Sequence, residues 1–191
     1  MGCYRLARFN TDGGIQVKWK LGHIKPFWND EYTKLKYTKK PFNNYKDLYK
    51  WREQGYTQPE ELFVGMMCAF GEKQPKWTDK FVKWAETEFN LKDIGCCFYR
   101  METGVILPKH RDTYKMYAER FNCRPESVHR ILVFLEDWKS GHYFEVDGKN
   151  VTGYKAGDYA IWSGDEEHMA SNIGTEYRYT LQITGRKDEE N

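Results

Sequence analysis

Residues 107–112 read Leu-Pro-Lys-His-Arg-Asp, and the reading of this short stretch decides the fold. On an extended strand, residues two apart point to the same side. His110 and Asp112 would then bring an imidazole and a carboxylate to one point. A neutral imidazole and an ionised carboxylate are good ligands for a borderline ion such as Fe(II). One further His from a distant strand would complete a 2-His-1-carboxylate face, with three positions of an octahedral ion left open. The chain has five His: His23, His110, His129, His142 and His168. His168 follows Asp165-Glu166-Glu167 at what reads as a strand start, and it is the candidate third ligand. The spacing is weak evidence alone, because a lone His is usually structural and HxD arises by chance.

Outward from this stretch, the texture from Ile94 onward is one of short strands punctuated by turns. Strands are expected at 95–101, 104–110, 128–136, 141–147, 150–154, 158–163, 168–173 and 176–184. Glu102-Thr103-Gly104, Asp147-Gly148, Ala156-Gly157-Asp158 and Ser163-Gly164-Asp165 separate several of them. Closely spaced strands of this kind suggest a sandwich or jelly-roll barrel. Tyr114 to Cys123 interrupts them as a helix or loop. Before Ile94, Met1 to Asp12 reads as a first strand, Asp12-Gly13-Gly14 as a turn, and Ile15 to Leu21 as an alternating second strand. Residues 25–45 read as a loop on a site rim, and Tyr45 to Gln54 as a short helix ended by Gly55. Glu60 to Phe70 is apolar and ambiguous between strand and helix. Trp77 to Phe89 carries Phe81, Trp84, Ala85 and Phe89 at helical spacing, with Thr78 as the expected cap and Asn90 near the end.

The chain has 191 residues, most simply one domain, and a formal net charge of +2. That charge calls for neither nucleic acid nor a membrane surface. Aromatics make up 17%, with seven Trp and fourteen Tyr, a supply that suits strands and argues against disorder. The cysteines, Cys3, Cys68, Cys96, Cys97 and Cys123, are odd in number and form no CxxC pair. With no secretory leader, the expected setting is reducing and cytoplasmic. No apolar run approaches ~18 residues.

A second feature strengthens the metal reading. Arg178 lies in Tyr177-Arg178-Tyr179-Thr180-Leu181. On a strand, Arg178 and Thr180 share a face. A guanidinium grips a carboxylate with two parallel hydrogen bonds, and a neighbouring hydroxyl adds a third. Buried in a barrel, such an Arg requires an anion, which is either a ligand or an internal acid. Taken alone, Arg178 would read as one half of a surface ion pair.

Together these residues resemble the Fe(II)/2-oxoglutarate-dependent dioxygenases, the prolyl hydroxylases in particular. The run Cys96 to Asp112 resembles that family's tyrosine-bearing strand and HxD strand. Arg130-Ile-Leu-Val-Phe-Leu-Glu136, Gly141-His-Tyr-Phe-Glu145 and Ala156-Gly-Asp-Tyr-Ala-Ile-Trp162 resemble the strands that follow, and His168, Arg178 and Thr180 the closing pattern. The likeness spans 94–185, about half the chain. It implies a mainly β domain with flanking helices, a double-stranded β-helix of the jelly-roll, cupin-like kind. Residues 1–93 would supply N-terminal strands and supporting helices, and 94–185 the core. It also implies His110, Asp112 and His168 as ligands of Fe(II). Arg178, Thr180 and Tyr99 would form the site of 2-oxoglutarate, with O2 as the other co-substrate and Trp162 in a packing role. Compact members also look similar to oxygenases carried by bacterial viruses, which implies a host cytoplasm.

The activity implied is hydroxylation of a protein or peptide side chain, prolyl or Asp/Asn, coupled to decarboxylation of 2-oxoglutarate to succinate. A free amino acid, another small molecule or a nucleobase is the alternative substrate. A non-catalytic cupin-like metal- or ligand-binding module is the alternative class. Arg130, Tyr143 and Asn172 are the expected substrate-facing residues, with a rim salt bridge as the other reading of Arg130. His142 is expected to stand behind the site or on the surface. Phe134 stands where relatives carry a polar aromatic. Lys34, Lys36, Lys39 and Lys40 interleave with Tyr32 and Tyr37, a mixture that single-strand binders use and solvated loops share. No GxSxG, P-loop or Rossmann fingerprint points to another enzyme class.

Overall fold

A computed structural model of the chain describes residues 19–164 and 166–187. In chain order its elements are β1 (Trp19–His23), a 3-10 turn (Asp30–Lys34), β2 (Thr38–Lys39), α1 (Tyr45–Glu53), α2 (Pro59–Leu62) and β3 (Met66–Cys68). Then come α3 (Thr78–Phe89), β4 (Lys92–Met101), β5 (Val105–His110), α4 (Lys115–Phe121), a second 3-10 turn (Pro125–Ser127) and β6 (Val128–Phe134). The chain closes with β7 (His142–Val146), β8 (Lys149–Asn150), β9 (Asp158–Ser163), β10 (His168–Asn172) and β11 (Arg178–Arg186). The fold is mainly β with flanking helices. A seven-stranded sheet runs β1-β9-β6-β11-β4-β3-β2, and a four-stranded sheet runs β5-β10-β7-β8.

Alternation along β4 shows why two cores form. Cys96 and Phe98 point to one side, into a cluster with Phe81, Ala85 and Phe89 of α3. Tyr99 and Met101 point to the other, into a cluster between the sheets with Leu132, Phe134, Phe144, Val146 and Ala170. The large sheet is thus apolar on both faces, with a helix layer behind it and the small sheet in front. Phe81 and Phe98 are fully buried; burial of such a ring stabilises the fold by about 1.5–3 kcal/mol. The N-terminal half contributes β1, β2 and β3 to the large sheet, so its strands belong to the same sandwich as the core strands.

Several local expectations change in detail. The ambiguous segment 60–70 divides into the end of the short helix α2 and the strand β3. Segment 150–154 is strand only at Asn150; the rest turns back, with Val151 N–H donating to the Phe144 carbonyl. Segment 25–45 contains a 3-10 turn and a two-residue strand rather than loop throughout. Thr78 does not cap α3: it is the first helical residue, buried, and its hydroxyl has no hydrogen-bond partner. Trp77 occupies the cap position because its indole is drawn inward, donating to Asn29 Oδ1 at 3.0 Å. Asn90 ends α3 in the left-handed region, φ +53°, a conformation that Asn tolerates better than most residues. Of the expected N-terminal hairpin, the first strand, the turn and residues 15–18 lie outside the described residues.

β5 is an edge strand of the small sheet. That position tolerates Pro108, whose missing N–H would break a ladder in a central strand. Among the described residues no helix is long and apolar enough to cross a membrane.

Candidate metal centre

β5 and β10 pair antiparallel with His110 opposite His168, and the two imidazoles face each other with ring centres 4.3 Å apart. Asp112 is not on the strand, as its spacing suggests, but two residues past its end, in the turn that leads into α4. Its carboxylate still returns to the same point. Oδ1 lies 4.0 Å from His110 Nε2, and Oδ2 lies 3.9 Å from His168 Nε2. One donor atom from each of the three residues falls within 4.8 Å of the others, an arrangement that could hold a metal ion.

The hydrogen bonds behind the rings decide which nitrogens are available. His110 Nδ1 lies 2.8 Å from the Pro108 carbonyl oxygen, and His168 Nδ1 lies 3.0 Å from that of Glu166. A carbonyl only accepts, so each ring carries its proton on Nδ1 and presents a bare Nε2 inward. Burial first, then the neighbouring His168, pushes the His110 imidazole down to about 4. Burial likewise lowers His168. For Asp112, burial acts upward but is outweighed by Arg130, His168 and His110, which hold the carboxyl down at about 2. At neutral pH the cluster is two neutral imidazoles and one carboxylate, the protonation state that a divalent ion requires.

These shifts make the metal-free fold sensitive to acid. Both histidines bind protons less well folded than unfolded, so the unfolded chain takes up more protons as the pH falls. The His110 contribution to stability is complete above about pH 6.5 and is lost as the pH drops toward 4, and His168 adds a loss in the same direction below about pH 6.5. Asp112, depressed from its ordinary value, adds a further loss between about pH 4 and 2. Urea unfolding of the metal-free protein at pH 7, 6 and 5 is expected to show a falling midpoint; a level one would contradict the shifts.

A cavity of about 570 Å³ opens in front of the triad, between the sheets. Arg178 and Thr180 of β11 line it, as do Tyr99, Phe144 and Trp162. Arg178 is 2% exposed, and its Nε and one terminal nitrogen have no hydrogen-bond partner. The Phe134 and Phe144 rings flank the guanidinium at 5.7 and 5.8 Å. The Tyr154 hydroxyl is a polar neighbour, and no carboxylate of the described residues pairs with it. A buried cation without an anion is costly. Tyr99 sits opposite Thr180, and its hydroxyl accepts from Gly65 N–H at 2.6 Å. Gly65 is required there, because a Cβ would meet the Tyr99 ring at 2.5 Å. Burial first, against that backbone bond, pushes the Tyr99 phenol up to about 12, so it keeps its proton.

The expected substrate-facing residues separate. Arg130 does line the cavity, but its guanidinium is engaged: one nitrogen lies 3.1 Å from Asp112 Oδ2, and another donates to Gln182 Oε1 at 2.7 Å. Tyr143 does not reach the cavity. Phe144 faces inward, so Tyr143 faces the other side of β7, where its hydroxyl donates to Glu145 and lies against the Asn150 side-chain amide. Asn172 is fully buried at the far end of β10 and is consumed by the backbone, donating to the Met101 and Glu176 carbonyls while its Oδ1 accepts from Gly174 N–H. Tyr154 was not visible beforehand: it stacks on Phe134 at 3.7 Å and touches Arg178 from a loop. His142, expected behind the site or on the surface, stands behind Tyr154, its Nδ1 3.4 Å from that hydroxyl. Residues 40–43, within the segment read as a site rim, wall the entrance together with 63–65, Met67, Ala69 and Met116.

No family model matches the sequence, and no curated protein does. Among solved structures, a Pseudomonas putida prolyl-4-hydroxylase superposes with a TM-score of 0.55 at 17% identity, over 90% of this chain and 94% of that one. Looser matches include a predicted oxalate decarboxylase from Thermotoga maritima, with a TM-score of 0.36 at 19% identity over 53% of this chain and 73% of that one. The cupin domain of Schizosaccharomyces pombe Cnp3 gives a TM-score of 0.39 at 10% identity over 64% of each chain. The chain therefore has the fold of a prolyl-4-hydroxylase, and within that fold it carries an HxD…H triad able to hold a metal ion.

Proposed function

We propose that the protein is an Fe(II)- and 2-oxoglutarate-dependent dioxygenase that hydroxylates a protein or peptide side chain. The observation that carries this reading is Arg178: a buried guanidinium with unpaired nitrogens in the same cavity as the two imidazoles and the carboxylate. A simple metal-binding cupin module has no use for such a cation. When bound, iron and 2-oxoglutarate supply the oxidising chemistry, in which O2 converts 2-oxoglutarate to succinate and CO2 and hydroxylates the substrate.

The chain's own residues bind, orient and exclude water. His110 and His168 would hold the ion through Nε2, and Asp112 through its carboxylate. Arg178 would grip the distal carboxylate of 2-oxoglutarate, with the Thr180 hydroxyl beside it. The Tyr99 hydroxyl keeps a proton to donate toward the same group. Phe134 offers no polar atom; it flanks Arg178 and stacks on Tyr154, which supplies the polar contact instead. Leu132, Phe144 and Trp162 keep the inner cavity dry. No side-chain nucleophile or general base is required.

The fold shared with a prolyl-4-hydroxylase supports a protein or peptide substrate. Free amino acids, other small molecules and nucleobases are the competing substrates. Tyr32 and Tyr37 are buried, with Tyr37 donating its hydroxyl to the Tyr32 carbonyl, so neither offers a stacking platform beside the lysines. Anaerobic titration with Fe(II) and 2-oxoglutarate is expected to give a weak visible charge-transfer band. Succinate should then form over one of the peptide, amino-acid or nucleotide pools, and not with His110→Ala. Absence of the band with folded protein would favour the binding module.

A further inference from the structure

Asp112 poses a structural problem that His110 and His168 do not. Both histidines are fixed twice, by the ladder between β5 and β10 and by a carbonyl behind each ring. Asp112 belongs to no strand or helix, so no backbone ladder sets its position. The turn that carries it is tethered from outside, by Asn44 Nδ2 donating to the Arg111 carbonyl at 2.9 Å. Its carboxylate is gripped from the opposite sheet by Arg130 of β6 at 3.1 Å.

Arg130 is itself held on two further sides. Gln182, on the adjacent strand β11, accepts from its second terminal nitrogen at 2.7 Å. The Tyr114 ring packs against the guanidinium at 5.4 Å. Both charged groups are largely removed from solvent, with 15% of the Arg130 side chain and 26% of the Asp112 side chain exposed. An ion pair so enclosed and so braced has little freedom to reorient, unlike a surface pair.

We propose that Arg130 is a positioning residue for the metal centre: from the large sheet it holds the one ligand that the small sheet cannot fix. The oxygen that Arg130 grips is Oδ2, which faces His168 at 3.9 Å, while Oδ1 faces His110 at 4.0 Å. Arg130 is consequently not available to substrate. This assignment rests on the metal-centre reading of the triad, but not on 2-oxoglutarate or on any substrate.

The test uses the full chain with Co(II) as a spectroscopic probe, without oxygen and without turnover. Arg130→Met is expected to weaken Co(II) binding by about 10- to 100-fold, the usual effect of losing a group that orients a ligand. It should also change the ligand-field spectrum of the bound ion, which a merely structural residue would leave alone. Arg130→Lys should recover part of the affinity but not the original spectrum, since an ammonium lacks the planar fork. Gln182→Leu, which frees one arm of Arg130 and removes no charge, should move both readouts in the same direction by less, and it serves if Arg130→Met does not fold. Folded Arg130→Met with wild-type affinity and spectrum overturns the proposal. Wild-type protein that binds Co(II) but not 2-oxoglutarate overturns the dioxygenase reading and leaves this one standing.

Discussion

Arg178→Met is expected to abolish measurable 2-oxoglutarate binding at concentrations that saturate the wild type, while Co(II) affinity stays within a few-fold. Removing one partner of a buried, hydrogen-bonded charge pair costs about 2–5 kcal/mol, or roughly 30- to 5,000-fold in affinity. The accompanying effect on stability is the sharper test. In the ligand-free protein, Arg178 is buried with two nitrogens unpaired. An apolar side chain of similar length relieves that burden. The variant's thermal midpoint without ligand should therefore equal or exceed that of the wild type. Adding 2-oxoglutarate with metal should then raise the midpoint of the wild type and not of the variant. A variant that unfolds earlier and still responds to 2-oxoglutarate would show that Arg178 is a structural cation with another partner.

Asp112→Ala and His110→Ala should each abolish metal binding and succinate formation, yet differ in what they do to the fold. His110→Ala removes a neutral ring whose protonation is already suppressed. Asp112→Ala strips Arg130 of its counter-charge in an enclosed site. Breaking such a pair from one side costs about 3–5 kcal/mol, somewhat less here because Asp112 keeps partial contact with solvent. Asp112→Ala should thus unfold at clearly lower denaturant than His110→Ala, and adding Arg130→Met to Asp112→Ala should restore much of the difference. Equal stabilities for the two single variants would mean that Arg130 does not depend on Asp112.

Much of this arrangement was legible in the sequence because it obeys a two-residue period. Alternation placed Arg178 with Thr180 on one face of a strand, and in the structure both lie buried on β11. The same rule, applied to His142-Tyr143-Phe144, would have turned Tyr143 outward once Phe144 was assigned to the interior. What stayed hidden depends on contacts between distant segments. Asp112 reaches its place by a turn, not by strand geometry. Its partner Arg130 comes from the other sheet, and no local pattern announces that pairing. Tyr154 reaches Arg178 from a loop where a strand was expected. Asn172 shares a face with His168 and Ala170 but lies at the far end, where the backbone of the following turn claims its amide. Thr78 failed as a cap because the buried indole of Trp77 set where the helix begins.

The division of labour between the two sheets has a mechanical consequence. His110 and His168 sit on the small sheet, Arg178 and Thr180 on the large one. An ion alone would fasten itself to one leaf of the sandwich, with the Arg130–Asp112 contact bracing it to the other. A dicarboxylate reaching from the ion to Arg178 would be a second strut across the gap, so filling the site and stiffening the molecule would be one event.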